Sequence, residues 1–281
     1  MKPRHPFELK AKVIKRRQEG ESLKRLVVEF GLPKSTVQGW IANILLSQRA
    51  RNRIDERARQ QGRSIRSNRR LVLPPTIYST PFSPDLVRFF AHCLFDGSIR
   101  HDQAIYYSSH STLAQKFAEN GQILFGLKPR WGRNKDGVLR VHFFSRNLAE
   151  FLLARKEMLF KNIGRMERAH QLEFLKAFFN DEGSVTFRAE TGKKAVRGYQ
   201  KNVKILEIVV SLLHGLGIDS KLESLNHSPE IAIRGRENIK KFAQVINFDA
   251  GVSFLATRKN SYYSKPIEKR VVLRQLLASY R

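Results

Sequence analysis

Two stretches of this chain end in a carboxylate followed by glycine, serine and a β-branched residue: Asp96-Gly97-Ser98-Ile99 and Glu182-Gly183-Ser184-Val185. Each follows a short apolar run with a small residue near its start, Ala91 in one and Ala177 in the other. The pattern reads as a helix that stops on an acid and turns through glycine into a strand. An acid at a helix C-terminus sits where the helix dipole is already negative, and two such ends side by side repel each other. A divalent cation shared by the two acids and a phosphate reverses that penalty, because Mg²⁺ takes hard oxygen ligands of this kind. The chemistry this implies is metal-assisted phosphodiester hydrolysis, with Asp96 and Glu182 serving as both metal ligands and catalytic residues. A lone Asp-Gly is an ordinary turn. Two copies, each between an apolar helix and a strand, point instead to a pseudo-twofold pair, with Ala91 and Ala177 letting the helices approach closely.

The elements around these acids repeat. Ser83-Pro84-Asp85 supplies an N-cap and a first-turn proline for a helix over 86–95. Residues 98–109 read as strand, 112–125 as helix, 128–133 and 138–144 as strands around Asn134-Lys-Asp-Gly137, and 148–153 as a further helix. The second half follows suit: helix 169–180, strands 184–189 and 195–199, helix 202–214, strands 218–225 and 230–234, and helix 237–246. Leu124-Phe-Gly-Leu127 is echoed by Leu213-His-Gly-Leu216, and Arg146-Asn-Leu-Ala-Glu-Phe151 by Glu237-Asn-Ile-Lys-Lys-Phe242. Such echoes at a slowly drifting offset mark a duplication with small loop insertions. A basic, aromatic-bearing stretch (Arg258, Lys259, Tyr262, Tyr263, Lys265) precedes a closing helix over 266–280.

Charge points to the partner. The 281 residues carry 52 Lys+Arg against 25 Asp+Glu, a formal +27, which calls for a polyanion. Nucleic acid fits best, ahead of an anionic membrane surface. No run approaches 18 consecutive apolar residues, so a membrane partner is not expected, and the absence of an apolar signal segment predicts an intracellular protein of the cytoplasm or nucleoid. The single cysteine, Cys93, excludes an internal disulfide and a cysteine-based zinc site, and its place in an apolar helix makes it core. No phosphate-binding GxxxxGK loop, zinc cluster or nucleophilic triad competes for the activity.

Residues 1–46 form a candidate helix-turn-helix. Phe7, Leu9, Val13 and Ile14 make one apolar stripe, and Ser22 caps a second helix carrying Leu23, Leu26, Val27 and Phe30. Gly31 ends that helix, and a third carries Val37, a buried Trp40, Ile41 and Ile44. The pattern is that of a DNA-binding three-helix unit, and its geometry turns Lys34, Ser35, Thr36 and Gln38 toward a major groove. Residues 47–82 read as a basic linker, partly helical over 49–60. Nine arginines between 49 and 70 equip it to lie along phosphates. Two further domains follow, 83–165 and 166–281.

Phe89-Phe-Ala-His-Cys-Leu-Phe-Asp-Gly97 and Leu175-Lys-Ala-Phe-Phe-Asn-Asp-Glu-Gly183 resemble the nine-residue motif of the LAGLIDADG homing endonucleases. The resemblance covers about residues 83–265 and implies an α+β fold, a pair of αββαββα half-domains whose motif helices form the central interface. It implies a saddle of two antiparallel sheets over double-stranded DNA, a divalent ion such as Mg²⁺ held by Asp96 and Glu182, and a monomer that cuts a long, non-palindromic target site, with intron RNA as the alternative partner. The family's usual third-position glycine is alanine in both copies, and its earlier aspartate is Leu94 in one and Asn180 in the other. On this reading Arg100, His101, Gln103, Arg130, Arg133, Arg140 and His142 contact DNA from the first half. Arg188, Arg197, Lys221, Asn226 and Arg234 do so from the second, with about half of all these turned away by strand alternation. Lys156, Lys161, Arg258 and Lys259 are candidates for contacts to the scissile phosphates. Three functions share these features: a site-specific DNA endonuclease, a transcription regulator or splicing maturase on the same fold, and a structural nucleic-acid-binding protein. Only the first two explain the repeated acids.

Overall fold

The computed structural model describes residues 7–48, 50–56, 59, 81–188, 190–225, 228–254 and 263–280. The chain divides into two compact units, 1–70 and 71–281.

The first unit opens, among the described residues, with the helices α1 (Phe7–Gln18), α2 (Leu23–Phe30) and α3 (Lys34–Ile41). Ser22 accepts a hydrogen bond from the Arg25 amide and so caps α2. Gly31 closes it in the left-handed region at φ 60°, which a side chain would resist. Val13, Leu26, Leu32 and Val37 are the buried centre, and Trp40 packs against it half-buried rather than enclosed. A core this small cannot cover both faces of an indole. Residues 50–56 are helical, as expected for part of the basic segment.

The second unit is α+β and built twice. Its first half runs α4 (Pro84–Leu94), β1 (Gly97–Arg100), β2 (Gln103–Ser108), α5 (Ser111–Phe125), β3 (Arg130–Arg133), β4 (Leu139–Phe144) and α6 (Arg146–Asn162). Its second half runs α7 (Arg168–Glu182), β5 (Gly183–Arg188), β6 (Lys193–Tyr199), α8 (Val203–Gly215), β7 (Lys221–Leu225), β8 (Ser228–Ile233) and α9 (Arg236–Val245). The two four-stranded antiparallel sheets have the same order, β1-β2-β4-β3 and β5-β6-β8-β7. A short β9 (Ser253–Phe254) pairs with β10 (Ile267–Glu268), and α10 (Lys269–Ala278) closes the chain. Two expectations need correction. The single strand over 98–109 is a hairpin, because His101-Asp102 is a tight turn between β1 and β2 that alternation alone does not reveal. The helix expected over 148–153 extends through Asn162, since Phe151, Leu152 and Leu159 keep one face on the core.

Helices α4 and α7 pack against each other at the centre. Ser83 caps α4 through the Leu86 amide at 3.1 Å. Leu86, Val87, Phe89, Phe90 and Cys93 of α4 and Phe174, Leu175, Phe178 and Phe179 of α7 are buried in one shared core. Each large apolar side chain so buried contributes roughly 1.5–3 kcal/mol. Ala91 and Ala177 are fully buried, which allows the close approach expected of small residues. Phe95 meets Phe174 and Phe178 edge-on, both at 5.3 Å, across the seam. At one end of the seam Arg88 pairs with Glu173 at 2.9 Å and with Asp249, which also takes Lys116 at 3.0 Å.

Candidate nuclease site and nucleic-acid interface

The second motif helix runs directly into the first strand of its half and the first does so through Phe95-Asp96, and neither corner has room for a Cβ. On Gly183 a Cβ would stand 2.2 Å from the Phe179 carbonyl oxygen; on Gly97 it would stand 2.4 Å from that of Ile105. These glycines are therefore required by close approach, and they fix Asp96 and Glu182 at the ends of the two central helices. Both acids line one cleft of about 680 Å³, together with Ser108 and His110 of the first half and Arg188, Tyr199, Tyr263 and Lys269 of the second.

The two acids sit in different surroundings. Asp96 is exposed and Glu182 is half-buried. Burial, and then the neighbouring charge of Asp181, push the Glu182 carboxyl up to about 7. Lys269 and a 3.0 Å hydrogen bond donated by Gln200 Nε2 act in the opposite direction.

Behind Glu182 lies a buried polar cluster that sequence reasoning missed. The Asp181 side chain is wholly enclosed. It accepts a 2.6 Å hydrogen bond from the Tyr106 hydroxyl on β2 and meets His92 Nδ1 on α4 at 2.8 Å. Burial and the Asp181 charge push the Tyr106 hydroxyl and the Cys93 thiol well above their ordinary values. Cys93 is buried, as expected. The second missed residue is Lys269. Nearly enclosed, it donates to the Gly183 carbonyl at 2.6 Å and the Asn180 carbonyl at 3.2 Å, the C-terminal carbonyls of the α7 corner. Asp181 could have been found as a charge inside an otherwise apolar helix face; nothing in the local sequence around Lys269 signals its place.

The predicted DNA-contacting residues divide by strand register. On the first sheet Arg100 and Gln103 stand opposite each other, Gln103 opposite Phe144, and Arg130 opposite His142. Tyr107 stands opposite Arg140. These side chains share the face away from Ala104, Tyr106, Val141 and Phe143, which belong to the core. Arg133 does not join them. It is opposite Leu139 on the other face, and its guanidinium donates to the Gly137 carbonyl at 2.7 Å, tying down its own turn. His142 is on the outer face but buried, stacked on Phe144 and 3.2 Å from the Gln103 amide oxygen. His101 is exposed in the turn.

On the second sheet Arg188, Arg197 and Lys221 occupy the outer face, opposite Lys193, Ser184 and Ala232 respectively. Arg197 is paired with the buried Glu230, and Arg234, just beyond β8, with Glu223. Asn226, Arg258 and Lys259 lie outside the described residues. Lys156 and Lys161 are on α6, where Lys156 sits 5.9 Å over the ring of Phe160. Neither lines the carboxylate cleft, where among the described residues the lysines and arginines are Arg188 and Lys269. In the first unit Lys34, Ser35 and Gln38 are exposed on α3 and Thr36 is half-exposed, while Val37 is buried.

The acids fit a divalent cation in part. Among the described residues no group of three or more His, Cys, Asp and Glu could hold a metal. Two carboxylates alone leave most of an octahedral shell to water and phosphate oxygens, the usual situation for Mg²⁺ at a phosphate-processing site. Among the described residues no helix is long and apolar enough to cross a membrane.

A family model described as a LAGLIDADG-like domain matches residues 169–247. Among solved structures, a variant of the homing endonuclease I-DmoI in complex with its target DNA and Mn is similar at 18% identity. That match covers 60% of this chain and 96% of the other with a TM-score of 0.50. I-DmoI in complex with DNA and Mn is similar at 21% identity, covering 59% and 97%, with a TM-score of 0.48. Full-length DUF199/WhiA from Thermatoga maritima is similar at 13% identity, covering 73% and 64%, with a TM-score of 0.47. No curated protein matches. The matched segment holds the motif over 175–183 and the sheet β5-β6-β8-β7, so the second half is similar to a LAGLIDADG-like domain, and the first half repeats its sheet order.

Proposed function

We propose that this protein is a site-specific double-stranded DNA endonuclease of the homing type. The observation that supports it most is the retention of a carboxylate at the end of both central helices, Asp96 and Glu182, opening on one cleft flanked by two basic sheets. A divalent cation such as Mg²⁺, when bound by these acids, would polarise the scissile phosphate and lower the pKa of an attacking water. The chain's own residues prepare that site. Gly97 and Gly183 fix where the acids leave their helices, Gln200 holds one oxygen of Glu182, and Lys269 offsets the crowding of Glu182 by Asp181. Outer-face arginines position the duplex through its phosphates. The helices over 7–41 add a helix-turn-helix contact through Lys34, Ser35, Thr36 and Gln38, and the arginines between 49 and 70 add further charge along the duplex. One chain supplies both halves, so the protein acts as a monomer on an asymmetric site.

The test is selection for Mg²⁺-dependent cleavage from a randomised duplex library, followed by the Asp96→Asn and Glu182→Gln variants on the selected site. Cleavage should fall by more than ~10³-fold in each while duplex binding persists. A second reading, a DNA-binding regulator, is favoured by the three-helix unit with its exposed polar α3 face. Sequence-specific binding with no cleavage under any divalent ion would select it over the nuclease.

A further inference from the structure

The two sheets of the proposed DNA interface are built differently. In β1–β4 none of the twenty strand residues is acidic, and Arg100, Arg130 and Arg140 share the outer face. Their charges act together on one spot: buried His142 is held below its ordinary value by burial and then by Arg140, Arg100 and Arg130. Arg130 is also stacked 5.1 Å over Phe144, which fixes its guanidinium on this face. In β5–β8 the outer face carries two acids. Glu230 is fully buried and takes Arg197. Glu223 takes Arg234, with a second contact at 2.7 Å, and lies 3.9 Å from Arg197. Paired end-on in this way, the Arg234 fork is spent on a carboxylate rather than offered to a phosphate.

We infer that the two halves of the interface divide the work of holding DNA. The first sheet supplies phosphate neutralisation through Arg100, Arg130 and Arg140, while on the second sheet Glu223 and Glu230 hold Arg234 and Arg197 back from the phosphates, leaving Arg188 and Lys221 on that face. The inference rests on the proposed binding of duplex DNA by these faces. It has a measurable consequence, because each phosphate neutralised adds ~0.9 to the slope of log affinity against log salt concentration. Removing an arginine of the first sheet flattens that slope. Arg234 contributes little to it until Glu223 is neutralised.

The experiment is fluorescence anisotropy of the full chain on a 30-base-pair random-sequence duplex between 50 and 200 mM KCl, without divalent metal. Wild type is compared with R130A, R140A, R234A and E223Q, each checked by thermal melting. R130A and R140A should each bind more weakly with a slope shallower by ~0.9. R234A should leave the slope unchanged. E223Q should bind more tightly with a slope steeper by ~0.9, so that its advantage over wild type shrinks about 3-fold across that salt range. An unchanged or weaker E223Q with a native melt overturns the inference, as does an R234A slope as flat as that of R130A. Failure of wild type to bind the duplex at all overturns the DNA reading beneath it, and is distinguishable from both.

Discussion

Glu182 provides the sharpest test of the site's electrostatics. An acid whose folded-state pKa is raised holds its proton more tightly in the folded chain than in the unfolded one. The folded state is then favoured at low pH and loses stability as pH climbs from the unfolded value through the folded one. For Glu182 that window runs from 4.5 to about 7. At ~1.4 kcal/mol for each tenfold change in proton affinity, the interval sets a ceiling of ~3.4 kcal/mol. Partial exposure and screening reduce it to ~1–2 kcal/mol. Glu182→Gln places a neutral isostere where the protonated acid stood, so variant and wild type should melt together near pH 4.5. Near pH 8 the variant should be the more stable by that amount, or ~3–6 °C for a unit of this size. The assay is thermal unfolding of both proteins in EDTA from pH 4.5 to 8.5, read as the difference between them, in which titrations that do not interact with Glu182 cancel. Adding Mg²⁺ at pH 8 should raise the wild-type midpoint and close the gap, because a ligand that binds only the folded chain stabilises it. A difference independent of pH, or one that favours wild type as pH rises, would refute the reasoning.

Three further outcomes follow from the same geometry. Asp181→Asn should cost ~2–4 kcal/mol in chemical denaturation, because an amide replaces with NH₂ one of the two carboxylate oxygens that meet Tyr106 and His92; Tyr106→Phe should cost about half as much. Lys269→Met removes two charge-assisted hydrogen bonds to the α7 corner and a cation that lowers the Glu182 pKa. A stability loss of ~2–3 kcal/mol and an acid limb of the pH–cleavage profile displaced to higher pH are the expected results. Gly183→Ala should lose ~3 kcal/mol or more by thermal melting, since its Cβ would meet the Phe179 carbonyl and the backbone there cannot yield.

Much of this protein was legible in its sequence, for local reasons. Caps at Ser22 and Ser83, a left-handed Gly31 and the alternation of strands depend on neighbours a few residues away, so their signals lie in consecutive letters. The duplication was legible too, because both halves must solve the same problem of ending a helix on an acid and turning at once into a strand. What the letters did not reveal depended on contacts distant in the chain. Asp181 stands 75 residues from Tyr106, and Lys269 86 from Gly183, in the hydrogen bonds that join them. Arg133 and Arg130 look alike in sequence, yet strand register places them on opposite faces. Arg197 and Arg234 look like further DNA contacts until the fold pairs them with Glu230 and Glu223. The sequence by itself determined that two acids would end two matching helices, since helix stop and glycine turn are local. Only the tertiary structure decided that Asp96 would stand in solvent while Glu182 is crowded and half-buried, because burial and neighbouring charge are properties of the packed seam.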